Sequence, residues 1–283
     1  MKYFLSFLIA LNIAAALACD DGFLPHNNFQ IPINSILAND MTEEQFKTNI
    51  KSFEAFFAPQ IENDFNQELI VFKSWKSNTV NAFAEKSPGK VMITIYGGLA
   101  RHKAITHDGL TLVLCHELGH HFGGFPKKNT NVWSSAEGQA DYYSSMKCLR
   151  RIWAKADNAD ALKNIIVPDQ VKNECAKTYS KVTEQLLCQR MSMAGRSMAL
   201  MIQDLDHDSI EPKFETPDDL RVRSTNIMHP FAQCRLDTVF NGAICPVSET
   251  VEFDNDDETT GACHEKLGET RGTRPRCWFV PRI

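Results

Sequence analysis

Cys115-His116-Glu117-Leu118-Gly119-His120-His121 decides how this chain is read. On an α-helix, residues four apart share a face, so His116 and His120 point the same way and can grip one metal ion. Glu117 then lies beside that ion. A Zn2+ held by such imidazoles keeps an open position for water, lowers that water's pKa toward ~7, and needs a nearby carboxylate to take the proton. The competing reading is a histidine-rich helix end, because imidazoles in a last turn suit the negative end of the helix dipole.

The flanks bear on that choice. Asp108 is a good N-cap for the helix, which turns Leu110, Val113 and Leu114 toward the core and stops at Gly123, Gly124 and Pro126. His102 and His107 precede it without metal-ligand spacing and read as surface residues. A following helix opens near Ser134 and carries Glu137-Gly138-Gln139-Ala140-Asp141, with Glu137 17 positions after His120. A carboxylate from a following helix is a common third zinc ligand beside two histidines. Ser134-x-x-Glu137 also fits a capping box, in which Glu137 only reaches back to a backbone N–H. Asp141, one turn further on the same face, is placed to accept the second ring N–H of a ligand histidine, a partner that a cap does not need.

Upstream, Pro25, Pro32 and several Asn make residues 20 to 40 an irregular lead-in. From Thr42, Phe46, Ile50, Phe53, Phe57, Ile61 and Phe65 recur at helical spacing and predict a long helix with one buried face. Residues 69 to 84 read as a strand ending in Asn81-Ala82-Phe83-Ala84. Ser87-Pro88-Gly89 supplies a turn, and Val91 to Tyr96 returns as the second strand of a hairpin. Residues 150 to 203 read as helical with a break at Pro168. Asp204, Asp206 and Asp208 read as a solvated acidic turn, because no glycine and distal glutamate complete a calcium loop.

The chain has 283 residues, 43% of them hydrophobic, enough for one large domain with a substantial core. Lys2 followed by an apolar run to Leu17 and the small-residue site Ala16-Leu17-Ala18 reads as an export signal over residues 1–18. The run is shorter than the ~20 apolar residues a spanning helix needs. Cys19 follows the cleavage site directly, where a lipid on its thiol would tether the protein to a membrane surface; Ala16 stands where such signals usually carry Leu. The expected divisions are therefore the signal 1–18, the lead-in 19–40, a metal-site domain 41–245 and a disulfide-rich tail 246–283. Setting Cys19 aside, eight of the nine cysteines remain for an oxidising compartment. Short loops suggest Cys175 with Cys188, Cys234 with Cys245 and Cys263 with Cys277, leaving Cys115 for Cys148, among on the order of a hundred pairings. Without residues 1–18 the chain keeps 29 basic against 35 acidic side chains, about −6 in all, and has no basic tract interleaved with aromatics. Nucleic acid is excluded as an expected partner.

Taken in order, Asn81-Ala82-Phe83-Ala84, Val91 to Leu99, His116 to His120, Glu137 to Asp141, and His229-Pro230 with Arg235 resemble the gluzincin metallopeptidase family that includes HtpX, the BepA-type periplasmic proteases and the CAAX prenyl proteases. The likeness spans roughly residues 75 to 240. It implies an α+β, zincin-like domain, mostly helical, with a small sheet lining the active-site cleft. It further implies one Zn2+ per chain on His116, His120 and Glu137, Glu117 as general base, and Asp141 behind the ligands. His229 would then be a further ligand or a hydrogen-bond donor, and Arg235 would face the oxyanion or make an ion pair with Asp141 or Glu137. The chain departs from these relatives in having neither transmembrane helices nor a helical-repeat domain, so their substrates do not carry over. The expected activity is endopeptidase cleavage of a peptide or unfolded protein, in the periplasm or outside the cell, with the substrate added as a β-strand to Val91–Tyr96. The alternative is a cell-envelope binding or assembly factor with a latent or structural zinc site, closed by His229 as a fourth ligand.

Overall fold

The computed structural model describes residues 17–18, 22–129, 132–206 and 210–282. Thr42 sets the start of the first helix through a complete capping box. Its hydroxyl accepts from the Gln45 N–H at 3.2 Å, and the Gln45 side chain accepts from the Thr42 N–H at 2.8 Å. The helix, α1 (Glu43–Phe65), buries Phe46, Ile50, Phe53, Phe57 and Ile61 as the periodicity predicts. Phe65, expected on that stripe, sits on the last turn and stays half-exposed with its ring 4.6 Å from that of Phe122.

Residues 69 to 84 make two strands rather than one. The sheet comprises β1 (Leu17–Ala18), β2 (Glu68–Ser74), β3 (Ala82–Ser87) and β4 (Lys90–Tyr96), in the order β1-β3-β4-β2. What separates β2 from β3 is the buried Arg101, whose guanidinium collects the carbonyls of Trp75 (2.7 Å), Ser77 (2.9 Å) and Ile31 (2.8 Å). A chain that lends its carbonyls to a cation cannot also run straight through a ladder. β3 and β4 form the expected antiparallel hairpin, while β2 pairs with the other edge of β4 in parallel. β4 is therefore the inner strand of the described sheet, and the expected addition of a substrate strand to Val91–Tyr96 is corrected: both of its edges are taken. The outer edge of β3 is occupied by β1 and the lead-in. Glu85 and Lys86 of β3 pair with Ala18 and Leu17, and the Ala82 carbonyl accepts from Phe23 N–H at 2.9 Å. Apart from Leu17–Ala18, the expected signal 1–18 lies outside the described residues, as does Cys19.

After the short α2 (Gly97–Ala100) comes α3 (His107–Phe122), buried from Gly109 to His120. Thr106, not Asp108, is its N-cap, accepting from Gly109 N–H at 3.0 Å. Asp108 instead takes Arg190 of a later helix through two contacts of 2.8 Å. α4 (Glu137–Tyr143) continues through a π-helical turn, Ser144–Leu149, into α5 (Arg150–Trp153). α6 (Asn158–Leu162), α7 (Asp169–Thr178), α8 (Val182–Asp206) and α9 (Ala232–Ala243) follow, with Pro168 at the N-cap of α7. The result is an α+β fold in which α3 packs on β3, β4, α1, α4 and α8, and α9 packs on α4 and α8. No helix of the described residues is long and apolar enough to cross a membrane.

Several local expectations change. Asp204 and Asp206 belong to α8 rather than to a turn, Asp204 lying 3.0 Å from Lys103; Asp208 lies outside the described residues. His102 is buried rather than on the surface, only 2% exposed, whereas His107 is exposed as expected. Four disulfides join Cys115 to Cys148, Cys175 to Cys188, Cys234 to Cys277 and Cys245 to Cys263. The first two are the expected pairs; the others replace Cys234–Cys245 and Cys263–Cys277. The reason is where residues 246–282 go. This segment folds back over α4, so that Trp278 is fully buried, Tyr142 donates to the Gly272 carbonyl at 2.6 Å, and Arg274 donates to Gln139 at 2.6 Å. Cys277 is thereby brought beside Cys234 of α9, and Phe253, Ala262 and Cys263 join the main core. The expected tail is part of the body of the fold.

Candidate metal centre

Helical spacing on α3 turns His116, Glu117 and His120 to the side where α4 begins, and all three are fully buried with Glu137. His116 Nε2 lies 3.2 Å from Glu137 Oε2, and His120 Nε2 lies 3.6 Å from Glu137 Oε1. A tetrahedral Zn2+ with bonds of ~2.1 Å has ligand-to-ligand edges of about 3.4 Å. These distances suit that figure, and one donor atom from each of His116, His120 and Glu137 falls within 4.8 Å of the others. Asp218, Cys234 and Cys277 also converge, but the disulfide consumes both thiols.

Polar atoms at the centre are orphaned. His116 Nε2, His120 Nε2 and both carboxylate oxygens of Glu117 are buried without a hydrogen bond, and Glu137, equally buried, faces the two imidazoles with Lys128 Nζ 2.7 Å from its Oε1. Each orphaned buried polar atom costs about 1–3 kcal/mol, an expense a protein rarely bears without a ligand to relieve it. A cation with open positions relieves several at once, so the residues present fit a metal ion. Ser134 Oγ makes no hydrogen bond either, so the capping-box reading of Glu137 fails. The N-cap of α4 is Ala136, which offers no side chain.

The far nitrogens of both histidines are held. His116 Nδ1 lies 2.8 Å from Asp141 Oδ1, and His120 Nδ1 donates to the Ser135 carbonyl at 2.9 Å. Each contact fixes the tautomer that leaves Nε2 facing Glu137. Asp141 also receives Arg235 Nε at 2.7 Å and Nη2 at 2.8 Å, while Arg235 Nη1 donates to the Phe23 carbonyl at 2.9 Å. Arg235 is fully buried, and its guanidinium is the clamp behind Asp141. Of the two roles expected for it, the geometry shows the ion pair. His229 Nε2 lies 3.4 Å from Glu137 Oε2 and donates to the Gly22 carbonyl at 3.0 Å, a donor's position beside the cluster.

No protein-family model, curated protein or solved structure matches this chain.

What the centre can do therefore follows from its own electrostatics. Burial pushes the Glu117 carboxyl up to about 8, against the pull of His116 and Lys128. Burial pushes His120 down to about 3. Burial alone would raise Glu137, but its neighbours His120, His229, His116 and Lys128 together win and hold it well below the usual carboxylate range. His116 is likewise depressed by burial, but Asp141 more than offsets this and holds it up at about 9. The two carboxylates in one dry pocket thus shift in opposite directions: Glu137 remains an anion, while Glu117 gains or loses its proton close to neutrality.

Two participants lie beyond what the sequence reading found. Phe23, from the lead-in, places its ring 4.9 Å from that of His116 and under Arg235, and lines the site with a wall that no motif announces. Lys128 brings Nζ to 2.7 Å from Glu137 Oε1. A lysine eight residues past His120 carries no signal in a single sequence, since lysines in loops ordinarily face water.

Proposed function

We propose that this protein is an exported, zinc-dependent endopeptidase. The observation that carries the reading is the convergence of His116 Nε2 and His120 Nε2, both buried and lacking hydrogen bonds, on the buried Glu137, beside a Glu117 whose two oxygens are orphaned as well. When bound, Zn2+ would act as a Lewis acid and lower the pKa of water at the site. Glu117 takes the proton as water attacks the peptide carbonyl, then passes it to the leaving amine. Asp141 and the Ser135 carbonyl hold the two imidazoles in register throughout. The polypeptide docks as an added strand on the outer edge of β3, the side that accepts extended chain at Ala82, Glu85 and Lys86. Removal of residues 1–18 would uncover the Glu85–Lys86 part of that edge. Four disulfides suit the oxidising compartment to which such a signal would deliver the chain.

The test is cleavage of an unfolded model protein by purified zinc-loaded chain 19–283 beside its Glu117→Gln variant. The expected outcome is equal zinc content with turnover at least ~100-fold lower in the variant, the usual contribution of a general base. Equal turnover in the two proteins refutes the mechanism. One observation favours the second reading, an envelope binding factor with a latent zinc site: His116, Glu117, His120 and Glu137 are all fully buried. No cleavage by either protein, with zinc bound one per chain in both, would decide for it.

A further inference from the structure

Peptide hydrolysis needs positive charge or hydrogen-bond donors where the carbonyl oxygen becomes an anion, and a preorganised donor there is worth about 10²–10³ in rate. Arg235, the expected candidate, is fully buried, with Nε and Nη2 on Asp141 and Nη1 on the Phe23 carbonyl. It stands on the Nδ1 side of His116, with Nη2 3.4 Å from that nitrogen. A second cation, Lys128, meets the cluster at Glu137. We propose that Lys128 is the residue that stabilises the oxyanion of the scissile carbonyl, an assignment that rests on the peptidase reading above.

Three observations carry it. Lys128 Nζ lies 2.7 Å from Glu137 Oε1, and its charge is felt by Glu117 and His120 as well, so the ammonium borders the space where the reacting carbonyl must sit. The side chain is 13% exposed and that of His229 7%, whereas those of His116 and Glu137 are wholly covered. A carbonyl arriving from solvent therefore meets Lys128 and His229 before it reaches the buried donors. The backbone under Lys128 is also fixed. Lys128 N–H donates to the Ser134 carbonyl at 3.0 Å, Lys127 forms a bridge with Ser135, and the same Ser135 supplies the carbonyl that orients His120. One turn of chain thus sets the positions of a ligand histidine and of the ammonium, the kind of preorganisation on which oxyanion stabilisation depends.

The step balances without any co-reactant beyond water. Water's oxygen forms a bond to the carbonyl carbon and loses a proton to Glu117, while the carbonyl π pair moves onto oxygen. Lys128 keeps its own proton and donates a hydrogen bond to that oxygen. As the C–N bond breaks, the pair returns, the proton passes from Glu117 to the amine nitrogen, and Lys128 is unchanged.

The test uses zinc-loaded chain 19–283, its Lys128→Met and Lys128→Arg variants, an unfolded protein substrate and a phosphinic peptide, whose tetrahedral anion resembles the charged intermediate. The expected result for Lys128→Met is a kcat about 100-fold lower with KM within threefold and zinc affinity unchanged. Calorimetry should show phosphinic-peptide affinity falling by a similar factor, and Lys128→Arg should recover part of both. An undiminished kcat in Lys128→Met, beside a wild-type chain that cleaves, overturns this assignment alone. A kcat loss accompanied by an equal loss of zinc affinity also overturns it, because Lys128 would then only steady Glu137. A wild-type chain that neither cleaves nor binds the phosphinic peptide overturns the peptidase reading, and this assignment with it.

Discussion

Replacing Asp141 by Asn should cost both stability and metal affinity. Asp141 accepts Arg235 at 2.7 and 2.8 Å and meets His116 Nδ1 at 2.8 Å, with no solvent on any of the three. Burial alone would raise its pKa, but Arg235 and His116 reverse the effect and keep it ionised. The Asn side chain keeps the shape and an acceptor for His116, but removes the carboxylate that is hydrogen-bonded to Arg235. Breaking one side of a buried pair costs about 3–5 kcal/mol, a large part of a total stability of about 5–15 kcal/mol. Arg235→Met should cost a similar amount by stranding Asp141. The double variant removes both charges together, so its cost should fall short of the summed singles by ~2 kcal/mol or more. Zinc affinity should drop about 10–100-fold in either variant that carries Asp141→Asn, since the neutral amide holds the His116 tautomer less firmly. Urea unfolding of the four metal-free proteins at neutral pH gives the cycle, and competition with a chromophoric chelator gives the metal affinity. Single costs below ~1 kcal/mol, or additivity within ~0.5 kcal/mol, would refute the reasoning.

Three further outcomes follow from parts of the fold away from the cluster. His102 is 2% exposed, its Nδ1 accepts from the Ala104 N–H at 3.2 Å, and burial pushes its pKa down to about 4. Between the unfolded value near 6.5 and pH 4 the unfolded chain takes a proton that the folded chain refuses. Stability should therefore fall by about 3 kcal/mol as pH drops through that window, and urea midpoints should show His102→Gln losing this part of the slope. A methyl on Gly138 would stand 2.3 Å from Trp278 Cδ2, so Gly138→Ala should lower stability by about 1–3 kcal/mol. An unchanged melting temperature would show that Trp278 does not dock on α4. Non-reducing peptide mapping should recover Cys234 with Cys277 and Cys245 with Cys263; a Cys234–Cys245 peptide would refute the path drawn for residues 246–282.

What the sequence by itself determined is what repeats at short range. The three- and four-residue spacing of Phe46 to Ile61 gave α1, the turn at Ser87-Pro88-Gly89 gave the β3–β4 hairpin, and four-residue spacing placed His116 and His120 on one face of α3. These are properties of the backbone period, which any stretch of chain carries within itself. Glu137 and Asp141 were also legible, because one helical turn apart they share a face and meet the two nitrogens of His116. The tertiary structure alone decided the rest. β2 passes to the far side of β4 because Arg101 pulls the intervening carbonyls inward, and that closes the edge the sequence had offered to a substrate. Arg235 meets Asp141 across 94 positions, and Cys277 meets Cys234 only because Trp278 packs on Gly138. Lys128 reaches Glu137 from a loop with no pattern of its own. Partners like these are chosen by which surfaces the whole chain can bury together. A local period fixes the direction in which a side chain points, and only packing fixes what it meets there.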